Sequence, residues 1–385
     1  MNGRKTLIFG AGVYGKRALD ELGNENVEAF IDNDKSKWGK LYYGKRIVAP
    51  KDIFDYGNVN VVIASIYSNC IAKQLTEMDI KNFSFFISPV HGYYEKKDIV
   101  YNPYKDKKIA RNEAEWSNSK KIEYARREVF IAAEKLFNNQ TLFNHVEVET
   151  INRCNGVCGF CPVNKKNDTR QKAVMKEDLF KNIVQQLHDI DYTGRFTTFS
   201  NNEPLLDERI IDFNLYARKN LPKARLHMFT NGTLLTLEKF KVLAECLDEL
   251  VIDNYRDDLE LIKPCKEIKE YCELHPELIE KVTIVLRKPN EILTSRGGNA
   301  PNRKELIQYS KDRCVLPFKQ MIIRPTGKIS LCCNDALGEY TLGDASKEKL
   351  IDIWYGEKYK MVRNALYEGR ENWGHCKFCD TFAFG

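Results

Sequence analysis

Long apolar runs are missing from this chain of 385 residues, and so is any strong excess of charge. No stretch approaches the ~20 consecutive apolar residues of a membrane-spanning helix, so we expect no membrane association. Lysine and arginine (60) nearly balance aspartate and glutamate (54) and are interleaved with them. A net charge of +6 spread in this way is typical of a solvated surface, so no nucleic-acid partner is expected.

A secretory signal is also missing. The first twelve residues hold a short apolar stretch, but it runs into a glycine loop and not into a small-residue cleavage site. We therefore expect a cytoplasmic protein. Disulfides are rare in that reducing compartment, so the twelve cysteines indicate metal or redox chemistry.

The pattern of strands and helices predicts an α/β protein of several domains. Residues 1–100 predict a Rossmann-like α/β unit with a parallel sheet, because strands alternate with helices. Residues 101–140 predict an irregular linker and then a helix over Lys120–Leu136. Strands are expected in the first unit at Lys5–Phe9, Val27–Ile31 and Val59–Ala64.

Two further units are predicted beyond the linker. Residues 141–305 predict a partial barrel of five or six β/α units, in which chemistry is expected at the carboxyl ends of the strands. Residues 306–385 predict a small α+β unit with a hairpin around Pro325–Gly327 and a helix over Lys349–Leu366. The barrel strands are expected at His145–Glu149, Arg195–Phe199, Arg225–Phe229, Glu249–Asp253 and Val282–Leu286.

Three cysteines follow the first barrel strand within eight residues, namely Cys154, Cys158 and Cys161. Thiolates are the usual ligands of iron–sulfur clusters, and Gly156 and Gly159 permit close turns between them. Three thiolates on a [4Fe–4S] cluster leave one iron open for another ligand. The alternative is a zinc site, which prefers a complete set of four ligands.

This spacing resembles the cluster motif of the radical S-adenosylmethionine (SAM) superfamily, and the resemblance covers roughly Asn144 to the end of the chain. It implies that SAM binds the open iron and yields a 5′-deoxyadenosyl radical. It also implies that the aromatic ring of Phe160 lies against the adenine. Glu203, in the segment Ser200–Leu206, matches the acid that binds the SAM amino group, although two asparagines replace the family's glycines. Thr230 and Asn231 resemble the family's turn near SAM.

A second cysteine group is formed by Cys314, Cys332, Cys376 and Cys379, with Gly327 between the first two. It resembles the auxiliary-cluster module called twitch, a shortened SPASM domain. The resemblance implies one four-thiolate [4Fe–4S] cluster that relays electrons. Cys333 is an alternative to Cys332 as a ligand, and a zinc ribbon is an alternative to the cluster.

The glycines Gly10, Gly12 and Gly15 follow the first strand, and Asp32 ends the second. This is the dinucleotide fingerprint, in which backbone N–H groups face phosphate and an acid faces the ribose. The surrounding sequence also resembles N-terminal domains of bacterial sugar-modifying acyltransferases. The candidate ligands are NAD(P) and a nucleotide-sugar, and the alternative is a ligand-free domain.

The resemblance implies oxidation of a sugar-like alcohol, as in dehydrogenases of aminocyclitols with one auxiliary cluster. Such an enzyme draws electrons from a donor such as flavodoxin or ferredoxin. Arg296, which precedes the auxiliary cysteines, is the candidate residue for substrate binding; its high pKa makes it a poor base. The alternatives are a sugar epimerase, a peptide-modifying maturase and a non-enzymatic metal scaffold that binds nucleotide-sugars.

Overall fold

The computed structural model describes residues 5–65, 68–88, 92–95, 99–104, 136–138, 140–279, 281–306 and 310–381. The chain forms two compact units, one of residues 1–103 with 272–280 and the other of residues 104–271 with 281–385. The predicted linker and helix over 101–140 lie largely outside the described residues. No helix in the described part is long and apolar enough to cross a membrane.

The first unit contains short strands and two α-helices. The helices are α1 (Val13–Leu22) and α2 (Ser68–Glu77). The strands are β1 (Lys5–Phe9), β2 (Val27–Ile31), β3 (Leu41–Tyr42), β4 (Lys45–Val48), β5 (Val59–Ile63), β6 (Phe83–Ser88), β7 (Gly92–Glu95) and β8 (Val100–Tyr101).

The sheet of this unit has the strand order β3-β4-β2-β1-β5-β6-β7. The five central strands pair in parallel, and β3 and β7 are antiparallel at the edges. Alternate side chains enter two separate apolar clusters, with Leu7 and Phe9 in one and Ile8 in the other. Both faces of the sheet are therefore covered, as is usual for parallel strands.

The glycine loop after β1 brings backbone segments into close approach. Gly10 has φ +121°, and a Cβ atom there would lie 2.4 Å from the Ala64 carbonyl oxygen. A Cβ atom on Gly15 would lie 1.8 Å from the carbonyl oxygen of Gly10. These two glycines are thus required by packing, independently of any ligand.

We expect Gly15→Ala to lower the free energy of unfolding of the first unit by about 3 kcal/mol, because the new methyl group has no room. Gly12→Ala is the matched control, since no atom lies within 4 Å of a Cβ there; the loss should be about 1 kcal/mol or less. Hydrogen exchange of peptides from this unit measures both. Equal losses would contradict the packing argument.

The second unit contains eight strands and six α-helices in its described part. The helices are α3 (Glu177–Asp189), α4 (Ile210–Asn220), α5 (Leu237–Cys246), α6 (Lys263–Leu274), α7 (Leu350–Tyr355) and α8 (Glu357–Glu368). The strands are β9 (His145–Val148), β10 (Arg195–Thr197), β11 (Arg225–Thr230), β12 (Glu249–Tyr255), β13 (Val282–Arg287), β14 (Gln320–Ile323), β15 (Lys328–Ser330) and β16 (Thr341–Asp344).

Six of these strands pair in parallel in the order β14-β9-β10-β11-β12-β13, and β15 and β16 extend the sheet with antiparallel pairing. An α-helix connects each successive pair from β9 to β13. The predicted α/β class and the hairpin around Pro325–Gly327 are confirmed. Strands on both sides of the predicted boundary at 306 share one sheet, and that boundary stays a prediction.

The predicted helix over Lys349–Leu366 is wrong in one respect, because it is two helices. The chain breaks at Gly356, which has an extended backbone with ψ 166° and starts α8. A Cβ atom at Gly356 would approach the carbonyl oxygens of Asp352 and Ile353 to 3.0 and 3.1 Å. The apolar periodicity continues across the break, which is why the sequence pattern does not reveal it.

Polar side chains line one face of the parallel strands. His145 Nε2 lies 3.3 Å from Thr197 Oγ1, which lies 3.2 Å from His227 Nδ1. Gln320 Nε2 lies 3.2 Å from the other nitrogen of His145. Since side chains alternate along a strand, Glu147 on β9 shares this face with His145. The interior of the sheet therefore carries titratable groups.

Candidate functional site

The first cysteine group lies on an irregular loop beyond β9. Cys154, Cys158 and Cys161 are partly buried free thiols. The Asn164 amide donates hydrogen bonds to the carbonyl oxygens of Cys158 (2.8 Å) and Cys161 (3.0 Å), and Gly156 N–H points to Cys154 Sγ at 3.3 Å. The loop is thus held by the Asn164 side chain, which bonds the backbone of Cys158 and Cys161 and not their thiols.

Glu203 joins the loops that the sequence singles out. Its carboxylate accepts hydrogen bonds from Thr230 Oγ1 (2.8 Å), Asn231 N (2.8 Å) and Leu205 N (3.1 Å). Asn231 Nδ2 in turn donates to Asn155 Oδ1 at 2.7 Å, within the cysteine loop. The structure therefore brings the predicted residues Glu203, Thr230 and Asn231 beside the first cysteine group.

The Glu203 carboxylate is only 1% exposed, and all three of its hydrogen-bond donors are neutral. Burial raises the pKa of this carboxyl, although hydrogen bonds from Asn231, Thr230 and Leu205 oppose the shift. A buried carboxylate is costly unless a cation compensates it. The site thus suits a ligand with a positively charged group.

Phe160 packs inside the same region. Its ring is 4% exposed and lies 5.9 Å from the ring of Tyr255, centroid to centroid. On the same strand as Tyr255, burial raises the pKa of the Asp253 carboxyl while the charge of Arg287 lowers it. The sequence analysis missed Asp253, Tyr255 and Arg287. Their signal was the alternation of residues along a strand, which puts Asp253 and Tyr255 on the same face of β12.

The two asparagines that replace glycines have defined contacts. Asn202 Oδ1 accepts a hydrogen bond from Ser200 N at 3.0 Å. Asn201 Nδ2 donates to the Cys333 carbonyl oxygen at 3.0 Å, and Asn201 Oδ1 lies 3.4 Å from Arg296 Nη1. From the sequence, these asparagines are only departures from the family's glycines. In the structure, Asn201 joins Arg296, the predicted substrate residue, to Cys333, which adjoins the second cysteine group.

Arg296 lies in a left-handed turn. Its φ is +50°, and Gly297 and Gly298 follow with +64° and +89°. Such backbone is unfavourable for arginine and persists only when its surroundings fix it. Cβ atoms on the two glycines would lie 2.8 Å from His375 and 3.0 Å from Phe378. The turn is therefore packed directly on the segment that carries Cys376 and Cys379.

The four cysteines of the second group are buried and line one cavity. Arg370 closes it by donating hydrogen bonds to the carbonyl oxygens of Cys379 (2.6 Å) and Thr381 (2.6 Å). Cys333 is not among the lining residues. The cavity is lined by Cys314, Leu316, Pro317, Leu331, Cys332, Asn334, Leu366, Arg370, His375, Cys376 and Cys379.

The fingerprint residues of the first unit also lie together. Asp32 Oδ2 accepts hydrogen bonds from Ala11 N (2.9 Å) and Lys37 Nζ (2.8 Å), and Oδ1 accepts one from Asp34 N (2.9 Å). The carboxylate thus fastens the loop of Gly10, Gly12 and Gly15 from within the chain. A ligand role for these residues stays a prediction.

A buried ionic group beneath the cysteine loop was missed by sequence reasoning. Arg170 Nη1 pairs with Glu149 at 3.0 Å, and its Nη2 atom contacts Asp168 (3.0 Å) and the Asn201 carbonyl oxygen (2.9 Å). The signal was the alternation His145–Glu149, which puts charged residues on the interior face of a buried strand. This group holds two of the site's loops in place.

Three family models match the chain. Residues 148–253 match the radical SAM superfamily, residues 314–380 match SPASM, an iron–sulfur cluster-binding domain, and residues 2–84 match the C2185-like N-terminal domain. The first match starts in β9 and ends in β12, so it holds the first cysteine group and Glu203. The second spans all four cysteines of the cavity.

One curated relative is an S-adenosyl-L-methionine-dependent 2-deoxy-scyllo-inosamine dehydrogenase from Niallia circulans. It is 26% identical over 242 residues, which are 62% of this chain and 94% of that protein. Among solved structures, BtrN in complex with AdoMet and 2-DOIA is 25% identical with a TM-score of 0.54, covering 63% of this chain and 94% of that one. Selenomethionine BtrN in an open conformation is 22% identical with a TM-score of 0.46 over the same shares of each chain.

Proposed function

From the premise that this chain is a radical SAM enzyme carrying a SPASM domain, we propose that it oxidises a secondary alcohol of an aminocyclitol or a related sugar to a ketone. One observation carries the proposal: the left-handed turn of Arg296 is packed on the four-cysteine cavity. A substrate held by that arginine lies beside a group that can take up an electron. The alignment with the dehydrogenase covers 94% of that protein and supports the same class of substrate.

The cysteine spacing correctly predicted both the radical SAM and the SPASM domains. SAM and iron–sulfur clusters are therefore the cofactors of this enzyme. We propose Cys154, Cys158 and Cys161 as ligands of the SAM-binding cluster. Around it, Glu203 is proposed to bind the SAM amino group, with Phe160, Thr230 and Asn231 as further SAM contacts.

The arrangement of the cysteines favours clusters over zinc. A tetrahedral zinc site brings its four sulfurs within about 4 Å of one another, since each zinc–sulfur bond is about 2.3 Å. In the described part of the chain, no three His, Cys, Asp or Glu side chains converge closely enough to hold one metal ion. The four cysteines of the second group line one cavity, and the match to an iron–sulfur cluster-binding domain over residues 314–380 supports a cluster there.

We assign the auxiliary cluster to Cys314, Cys332, Cys376 and Cys379, because these four thiols line the cavity and Cys333 does not. When bound, the cofactors supply a 5′-deoxyadenosyl radical that removes a hydrogen atom from the alcohol carbon, and an auxiliary cluster that accepts the electron left behind. The protein's own tasks are to orient the alcohol, to exclude water and to receive the hydroxyl proton. Arg296 is proposed to orient the substrate.

Flavodoxin or ferredoxin is the proposed electron donor, and the cytoplasm is the proposed location. The first unit is proposed to bind a nucleotide-sugar or NAD(P) through its glycine loop. The parallel sheet, with the glycine loop between β1 and α1, supports that reading. Because Asp32 is engaged within the loop, such a ligand would have to meet the backbone N–H groups of α1 instead of this carboxylate.

The test is turnover of 2-deoxy-scyllo-inosamine by the anaerobically reconstituted enzyme with SAM and a reductant. We expect equal amounts of 5′-deoxyadenosine and ketone, and label transferred from substrate deuterated at the alcohol carbon. Deoxyadenosine without any change in the substrate would reject an aminocyclitol substrate. A protein that binds SAM and iron but never cleaves SAM would reject the radical mechanism.

Epimerisation is the second candidate, and one observation favours it. Cys333 does not line the four-cysteine cavity, and Asn201 joins its carbonyl oxygen to the Arg296 guanidinium. A thiol there could return a hydrogen atom to the opposite face of the sugar carbon. Solvent deuterium at that carbon, with no ketone, would identify this reaction.

A further inference from the structure

The oxidation proposed above releases a hydroxyl proton, and this chain must provide the group that receives it. Arg296 is an unsuitable acceptor, because a guanidinium holds its proton at any physiological pH. A base must lie within hydrogen-bond reach of the hydroxyl group and must be deprotonated at working pH. The interior face of β9 offers such a group in Glu147.

We propose that Glu147 accepts the hydroxyl proton of the substrate while Arg296 orients the same alcohol. Glu147 lies near the carboxyl end of β9, the edge of the sheet at which β/α barrels hold their chemistry. In the sheet it pairs in register with Thr197 of β10, three residues before Ser200, where the loop that carries Glu203 begins. This inference rests on the proposed oxidation, since no proton needs an acceptor without it.

The neighbours of Glu147 tie it to the substrate arginine. The charge of Arg296 acts on the Glu147 carboxylate, and both groups act on the Cys333 thiol. Asn201 joins the Arg296 guanidinium to the loop of Ser200. The Arg296 guanidinium is thus held by the loop that follows β10, the strand that pairs with β9 at Glu147.

Burial gives Glu147 the properties of a base. Its side chain is 9% exposed, and desolvation raises the pKa of the carboxyl to about 7, against the opposing hydrogen bond from Ser200 and the charge of Arg195. The adjacent His145, 3.6 Å away, does not offset this by pairing, because burial lowers the pKa of its imidazole well below the usual value. The groups facing Glu147 are His145 and Glu149 of β9, Arg195 of β10, Ser200, Arg296 and Cys333.

The proton balance closes with this assignment. The C–H bond of the alcohol carbon gives its hydrogen atom to the deoxyadenosyl radical, and the remaining electron passes to the auxiliary cluster. The O–H bond gives its proton to a carboxylate oxygen of Glu147, and the C=O bond forms. Glu147 must then lose the proton to solvent before the next turnover, which its raised pKa permits near neutral pH.

The first experiment compares Glu147→Gln with the wild type on deuterated 2-deoxy-scyllo-inosamine. We expect ketone formation to fall by about 100-fold, the lower range of general-base effects, while deuterium still reaches 5′-deoxyadenosine. The wild-type rate of ketone formation should rise with pH through about 7, because only the carboxylate accepts a proton. This rise should be absent in Glu147→Gln. An unchanged ketone rate and pH profile, or a higher KM alone, would overturn the proposal.

Glu249→Gln is the matched control. Glu249 is also a partly buried strand carboxylate, but it starts β12 at the opposite end of the sheet and pairs with Arg225 at 2.7 Å. We expect this variant to keep the wild-type pH profile. A lost rise in both variants would show that the profile reports general damage to the sheet, and it would count against Glu147.

A second measurement needs no turnover. Infrared pH titrations of the reconstituted wild type and of Glu147→Gln are compared, and the difference between the two proteins should show one protonated carboxyl band that disappears near pH 7. Glu291, whose burial also raises its pKa to about 7, titrates in both proteins and cancels in the difference. If the wild type titrates as expected but makes no ketone, the proposed oxidation fails, and the role of Glu147 as its base is overturned with it. If no such band exists, the base assignment itself fails.

Discussion

Replacing Cys158 with alanine should abolish SAM cleavage, lowering 5′-deoxyadenosine formation by more than about 1,000-fold, because the cofactor and not the protein supplies the radical. Iron per chain should fall by about half, since one of two clusters loses a ligand. The loop itself should survive, because Asn164 bonds the carbonyl oxygen of Cys158 and not its thiol. Iron and sulfide analysis with a deoxyadenosine assay measures both effects.

The matched control for this variant is Cys246→Ala. Cys246 is a buried thiol at the end of α5, and its nearest polar contact is the Leu243 carbonyl oxygen at 3.5 Å. We expect full iron content and normal deoxyadenosine formation, with a loss of stability of about 1 kcal/mol. Full iron in Cys158→Ala, or the same iron loss in both variants, would remove Cys158 from the ligand set.

Replacing Cys332 with alanine should separate SAM cleavage from ketone formation. We expect ketone formation to fall by about 100-fold or more, because the electron has no acceptor without the auxiliary cluster. SAM cleavage should continue, because the first cysteine group is intact. Iron should again fall by about half. Parallel assays measure the iron content and the ratio of ketone to 5′-deoxyadenosine, and this ratio should fall.

Cys333→Ala is the adjacent control. Since Cys333 does not line the four-cysteine cavity, this variant should keep its full iron content and the Mössbauer spectrum of both clusters. The reverse pattern, with iron lost from Cys333→Ala and kept in Cys332→Ala, would exchange the two residues in the ligand set. Loss from both would mean that the Cys332–Cys333 backbone, and not one thiol, shapes the cavity.

Features set by local sequence were predictable here. Cysteine spacing identified both cluster domains, and the strands β1 and β2 agree with the predicted ranges residue by residue. These features depend on short-range patterns, in which a buried strand or a metal-binding loop must carry particular residues at fixed intervals. The break at Gly356 was not predictable, because a single glycine between two amphipathic stretches does not end a helix by itself.

The charged and hydrogen-bonding groups of the candidate site could not be predicted from local sequence patterns. Glu147, Asn201 and Asp253 carry no motif, and their importance depends on which residues of distant strands face them. Burial raises the pKa of Glu147 only because β9 lies between two neighbouring strands of the sheet. The sequence shows that polar and apolar residues alternate over His145–Glu149. It does not show which face of this strand lies near Arg296, an arginine that follows β13 in the chain.

The left-handed turn at Arg296–Gly298 limits how this enzyme could change its substrate. The two glycines touch His375 and Phe378, so the turn cannot shift without disturbing the segment that holds Cys376 and Cys379. With Arg296 as the proposed substrate residue, the position of the substrate and that of the auxiliary cysteines depend on the same packing contacts. Directed evolution of substrate range should therefore leave residues 296–298 untouched.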